Sequence, residues 1–320
     1  MAQSIILTGA GFSANFGGLL AGDMSDKILN HNKLNSSDNL KKLVQKCFNY
    51  EDIYYQVMSG TSFNEQDKKI MKHIMLDVYK NLNNTIKNGI DNSGGYYFVK
   101  DCLRRITSNQ NNIGYLFTLN QDLLIEGLYS RQYFQSHEVF APGIDTPRTS
   151  ISLEQGKTCN IDQDVAVFKK KFNKQKNKTR PKIFYVKLHG SFNWRCEEGT
   201  VMVIGHNKSL AIAKNELLQW YYNLFSNELK GKNTRLIVIG YSFNDKHVND
   251  AIINSGCELC VIDRLRRVDL LSGIKDAEQR DKINKILTKY YCKTILELIN
   301  NGNVYDPDFT EIVDYITFKD

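Results

Sequence analysis

No stretch of the 320 residues approaches the roughly 18–20 apolar residues needed to cross a bilayer, and no basic residue stands between Met1 and Lys27 to open a secretory leader. The chain therefore reads as cytoplasmic, with no membrane contact. It also lacks a disulfide framework: its seven cysteines are odd in number and scattered at Cys47, Cys102, Cys159, Cys196, Cys257, Cys260 and Cys292. The single C-x-x-C, Cys257 to Cys260, has no second pair downstream and lies in a stretch that reads as a buried strand. A structural zinc site needs four ligands, so no metal is expected. Also missing are a G-x-x-x-x-G-K-[ST] phosphate loop, which excludes an ATPase of that type within this chain, and any internal repeat.

What remains is the composition of an ordinary soluble globular protein, long enough for one large or two modest domains. The net charge of +7 is local. "KKKFNKQKNKTRPK", Lys169 to Lys182, holds eight Lys or Arg and no acid, which leaves 34 basic against 35 acidic residues elsewhere. This run reads as a solvated loop in preference to a nucleic-acid contact, because only Phe172 interleaves the charges and base stacking needs aromatic platforms.

Five short β-rich runs punctuate helical stretches: "SIILT" at Ser4, "IGYLFTL" at Ile113, "KIFYVKL" at Lys182, "RLIVIGY" at Arg235 and "ELCVID" at Glu258. Continuous apolar runs of this length fit strands covered on both faces by helices, and the alternation predicts an open, mainly parallel α/β sheet. A helical insertion is expected over about 25–110 and a loop containing the basic run over about 140–181. After Asp263 the chain reads as helical, "INKILTKYYCKTILELI" being the clearest amphipathic stretch. The expected division is a domain over 1–263 and a helical extension over 264–320.

"IILTGAGFSANFG", Ile5 to Gly17, runs a strand into Gly9-Ala10-Gly11 and then into a helix predicted to begin near Ser13. Unpaired N–H groups and the positive end of a helix at one point make an anion site, and side chains at Gly9 or Gly11 would block approach of a pyrophosphate. "GAGFSA" also satisfies the loose G-x-G-x-x-G/A dinucleotide fingerprint. An ordinary dehydrogenase would place an acid at the end of a second strand about 20 residues on, whereas "LLAGDMSDKILNHNK" reads as helix. "FTLNQDLLIE" sets Thr118, Asn120 and Asp122 on one side of an extended segment. "YVKLHGSFNW" ends a strand in His189, and "VIGYSFNDKHVNDAI" ends one in Gly240 and Ser242. In an open parallel sheet these strand ends converge on one crevice, a Rossmann-like arrangement.

Taken in order, "GAGFSANFG", "TLNQD", "KLHGS" and "GYSFND" resemble the sirtuin-like NAD-consuming proteins, and most nearly the bacterial sirtuin-like NAD hydrolases of antiphage defence. The resemblance implies that Gly9, Ala10, Gly11 and Ser13 hold the NAD phosphates. It places Gly240, Ser242 and Asp263 on the adenosine half, Asn120 and His189 as the catalytic pair, and Asp122 as a nicotinamide-side or structural acid. Thr118, by default a core residue, joins the cofactor-side set. Spacing alone leaves Asn120 equally suited to capping a helix near Asp122, and His189 to a structural hydrogen bond. The other histidines, His247 among them, show no metal-ligand spacing and receive no role.

Two departures bear on function. "GGLLAGDM" stands where deacylating sirtuins carry Pro-Asp-Phe-Arg, and the paired C-x-x-C zinc module after the His-Gly is missing. The implied activity is hydrolysis of NAD to nicotinamide and ADP-ribose, with an NAD-depleting role in abortive infection. The alternatives are an NAD-dependent protein deacylase and a non-catalytic NAD or ADP-ribose sensor. The implied partners are further copies of the chain, as a homo-oligomer, and a HerA-type ATPase.

Overall fold

A computed structural model describes residues 3–93, 95–108, 112–130, 138–141, 159–161, 165–177, 181–197, 199–299 and 306–319. Its centre is a seven-stranded sheet built from β1 (Gln3–Thr8), β2 (Ile113–Thr118), β3 (Glu138–Phe140), β5 (Lys182–Lys187), β8 (Thr234–Ile239), β9 (Glu258–Asp263) and β10 (Leu287–Cys292). The order is β10-β9-β8-β1-β2-β5-β3, and every pairing is parallel. The five β-rich runs of the sequence are thus β1, β2, β5, β8 and β9. β2 and β5 are buried along their whole length, as strands with helices on both faces must be.

From β1 the chain builds outward to β2, then returns to lay β8 on the other side. The order therefore reverses beside β1, and that is where an open parallel sheet forms its crevice. The strands end flush: Thr8 pairs with Thr118 and Ile239, Thr118 with Lys187, and Ile239 with Ile262. The residues that follow these ends share one rim.

The predicted helical insertion is present as helices Ala21–Leu29, Asp38–Val44, Tyr50–Ser59, Glu65–Ser93 and Tyr96–Ile106. None of the described helices is long and apolar enough to cross a membrane. A smaller sheet, unforeseen in the sequence, joins β4 (Cys159–Asn160), β6 (Gly190–Cys196) and β7 (Gly199–Met202) in the order β4-β6-β7.

Two expectations are corrected. The basic run is not a loop as far as Lys176: Val165–Lys176 is a helix with Val165, Phe168 and Phe172 buried, while Lys169, Lys170, Lys171 and Lys174 face outward. An apolar stripe of that spacing suffices to seat a helix whatever the charge of its outer face. Its last lysine reaches Glu228 at 2.8 Å. The region after Asp263 is largely helical, as expected, but departs from that expectation at one stretch. "LTKYYC" forms β10, because Thr and Tyr suit a pleated surface better than a helix. The helix Pro307–Thr317 is tied to the sheet where Ser4 Oγ donates to the Ile316 carbonyl at 2.7 Å and the Arg235 guanidinium stacks on Tyr315 and Phe318.

Candidate functional site

The crevice at the strand ends is a cleft of about 1480 Å³, above the ~300–1,000 Å³ of ordinary small-molecule pockets and roomy enough for a dinucleotide. Gly9, Ala10, Gly11, Asn120, Asp122, His189, Gly240, Ser242 and Asp263 line it. Ser13 and Thr118 do not line it; both are buried below its floor.

The glycines earn their positions in a way the sequence did not suggest. A Cβ on Gly9 would stand 2.6 Å from the Gly240 carbonyl oxygen, and one on Gly11 2.8 Å from Gly240 Cα. Gly240 itself has φ +63°, and a Cβ there would meet the Phe12 nitrogen at 2.3 Å. The two glycine turns therefore press backbone on backbone, and Gly11 N donates to Gly240 O at 2.9 Å. The helix after the first turn starts at Ala10 rather than near Ser13 and has five residues.

Below this contact lies a polar lattice. Asn120 Nδ2 lies 2.9 Å from both the Gly9 carbonyl and Ser13 Oγ, and Ser13 Oγ donates to Asp122 Oδ2 at 2.7 Å. Thr118 Oγ1 accepts from Thr8 Oγ1 at 2.8 Å and from Asn120 N at 3.1 Å. Ser13 and Thr118 thus brace Asn120 from beneath the cleft. Asn120 is no helix cap: the next helix starts at Leu124, and Asp122 Oδ1 accepts from Leu124 N at 3.0 Å. Helix Glu65–Ser93 secures the same turn, with Asn83 Oδ1 accepting from Leu123 N at 2.7 Å and Tyr79 OH donating to Gln121 Oε1 at 2.9 Å. From below, the fully buried Lys187 ammonium binds the Asp122 carbonyl and the Glu126 carboxylate.

His189 is 2 % exposed, and its Nε2 lies 3.2 Å from Nε2 of His247. Burial pushes its pKa down to about 3, and the nearby Asp245 only partly offsets this. His189 is therefore neutral across the physiological range. Burial lowers His247 as well.

No spacing in the sequence marks this second imidazole or the charges behind it. His247 sits at the start of helix Lys246–Ile253, one residue beyond the loop that carries Gly240 and Ser242. Asp245 precedes that helix and pairs with Lys208 at 2.7 Å, while Lys208 also reaches Glu51 of the insertion at 3.0 Å. Burial opposes the Lys208 charge, but the two carboxylates outweigh it and raise its pKa. His189, Asp245 and His247 bring three ligand atoms within 4.8 Å of one another, the one such group able to hold a metal among the described residues.

At the far end, Asp263 Oδ1 accepts from Leu265 N at 2.9 Å, and burial raises its pKa. Lys293, Thr294, Ile295 and Leu296, from the C-terminal region, close that wall. Cys257 and Cys260 are buried thiols, the latter pushed up to about 12 by burial and so no ready metal ligand.

Residues 115–256 match the family model described as SIR2-like domain. The match contains Asn120, His189, Gly240 and Ser242, and it supports a sirtuin-like family for this chain. SIR2-like domains are often NAD-dependent enzymes, so it points broadly to NAD-related activity. No curated protein matches the chain at a significant level.

Proposed function

We propose that this protein hydrolyses the bond between nicotinamide and ribose in NAD, releasing nicotinamide and ADP-ribose. The observation carrying this reading is the Asn120 amide, which ties the "TLNQD" segment to the Gly9 turn inside the same cleft that holds His189. NAD lies with its pyrophosphate along Gly9 to Gly11 and Gly240, its adenosine toward Ser242 and Asp263, and its nicotinamide end near Asn120 and His189. As the glycosidic bond breaks, its electron pair leaves with nicotinamide and an oxocarbenium-like ribose forms. A water adds to that carbon and loses one proton.

Asn120 orients the water or the ribose hydroxyls through its amide oxygen, since its Nδ2 is engaged by Gly9 and Ser13. Neutral His189 accepts a hydrogen bond from the attacking water. A cationic electrophile needs little help from a strong base, which suits an imidazole held far below its usual pKa. We further propose that this activity depletes NAD in antiphage defence, restrained by self-assembly or by a partner ATPase of the HerA type.

The test is incubation of the purified chain with NAD, followed by separation of products. His189→Ala and Asn120→Ala are each expected to slow nicotinamide release by about 100-fold or more. Full release by both variants would overturn the assignment. Turnover that depends on an acyl-lysine peptide would select a deacylase, and tight NAD binding without release a sensor.

A further inference from the structure

NAD cleavage by one acting imidazole gives no reason for a second one aimed at it. His189 and His247 present the same nitrogen, Nε2, to each other at 3.2 Å. Two zinc–nitrogen bonds of ~2.0–2.1 Å at a tetrahedral angle set their nitrogens roughly 3.3–3.4 Å apart, so the spacing observed is close to that of a chelate. Asp245 supplies the third donor. Lys208 pairs with its Oδ1 at 2.7 Å. The Lys208 charge is shared with Glu51, so Glu51, Lys208 and Asp245 together sum to −1 and favour a cation beside them.

Three further features belong to a ligand set. Burial keeps both rings neutral, the form that binds metal. Tyr222 OH donates to the His247 carbonyl at 2.9 Å and steadies the second ring. The trio faces the cleft, which leaves a fourth position for water. Two imidazoles and one carboxylate suit zinc, cobalt or nickel and not calcium or magnesium.

We propose that His189, His247 and Asp245 bind a divalent transition-metal ion of the zinc class, and that the bound ion shuts off the cleft by occupying the His189 lone pair. The binding half stands on the geometry alone; the shut-off half rests on the NAD-hydrolase reading.

The full chain, freed of metal by a chelator, is titrated with Zn²⁺ by calorimetry and with Co²⁺ by visible absorption. The expected result is one saturable site per chain, with cobalt d–d bands and no thiolate charge-transfer band. His247→Ala and Asp245→Asn are each expected to weaken Zn²⁺ by more than about 100-fold, since even outer partners of a site cost about 10–100-fold. His73→Ala, which breaks the exposed His73–Asp77 pair at 2.9 Å, leaves the affinity unchanged. If His247→Ala fails to fold, His247→Gln carries the same expectation. No saturable binding, a thiolate band, or unchanged affinity in the folded His247 and Asp245 variants overturns the site. ADP-ribose should weaken Zn²⁺ binding, and Zn²⁺ should halt nicotinamide release; turnover unaffected at saturating Zn²⁺ overturns the shut-off. A chain that hydrolyses no NAD under any condition defeats the functional reading and leaves the metal titration decisive.

Discussion

Replacing Gly240 by Ala tests whether the cleft is built on contact between two glycine turns. The residue has φ +63°, a conformation that costs a residue bearing a Cβ roughly 1–2 kcal/mol. Its new methyl would stand 2.3 Å from the Phe12 nitrogen and 2.4 Å from the Gly11 carbonyl carbon, both backbone atoms that no rotamer change can move. Forcing backbone aside in a packed region costs about 1–3 kcal/mol more, for a total of about 2–5 kcal/mol. With an unfolding entropy of ~2.1 cal/mol/K per residue, a 320-residue chain should lose about 3–7 °C in melting temperature. The assay is scanning calorimetry beside nicotinamide release, which should fall with the displacement of Gly9 and Asn120. Gly22→Ala is the control: nothing lies within 4 Å of its added carbon, and within helix Ala21–Leu29 it should be neutral or stabilise by up to about 1 kcal/mol. A Gly240→Ala protein that melts with the parent and turns over NAD at the parent's rate would refute the backbone contact as the organising feature of the cleft.

Three further outcomes are expected. Lys187→Ala leaves the Glu126 carboxylate buried without its partner, so denaturant unfolding should show a loss of about 3–5 kcal/mol, and adding Glu126→Gln should recover part of it; strictly additive effects would show that the pair is not coupled. His189 and His247 take up protons less readily folded than unfolded, so stability should be highest above the ordinary imidazole pKa and should decline as pH falls from about 6.5 toward 3. A melting temperature constant over that window contradicts the assigned burial. By the same reasoning the pH profile of nicotinamide release should show no inflection near pH ~6.5 from His189; a clear one there would mean that substrate restores its ordinary basicity.

The central sheet was legible because its physics is local. A strand covered on both faces needs an apolar centre, and β1, β2, β5, β8 and β9 each have one. β10 obeys a different rule: as an edge strand it buries only Leu287 and Tyr291, and these continue the four-residue spacing of Gln279 and Ile283 in helix Ala277–Ile286, so a helix fits the stretch equally well. The basic helix was hidden for a related reason. Its three buried apolar residues are few beside its lysines, and charge density says nothing about the face that packs.

The candidate site divides along the same line. Gly9, Asn120, His189 and Gly240 each fall within two residues of a strand's end, so the sheet that made the strands legible also fixed where these residues meet. Ser13 and Thr118 are legible as members of the motifs, but their role in bracing Asn120 is not, because it depends on depth, and alternation along a strand carries no information about depth. His247, Asp245, Lys208 and Glu51 escaped entirely. Lys208 and Glu51 come from the ends of two helices that only the folded insertion brings together, and no spacing rule links position 51 to position 208. His247 meets His189 because Phe243, at φ +54° and clasped by Asn249 Nδ2 at 2.8 Å, turns the loop back before the helix begins. A left-handed aromatic residue is a costly conformation that neighbours must enforce. The second imidazole is therefore placed by tertiary packing, and that is why its chemistry has to be read from distances and not from the order of residues.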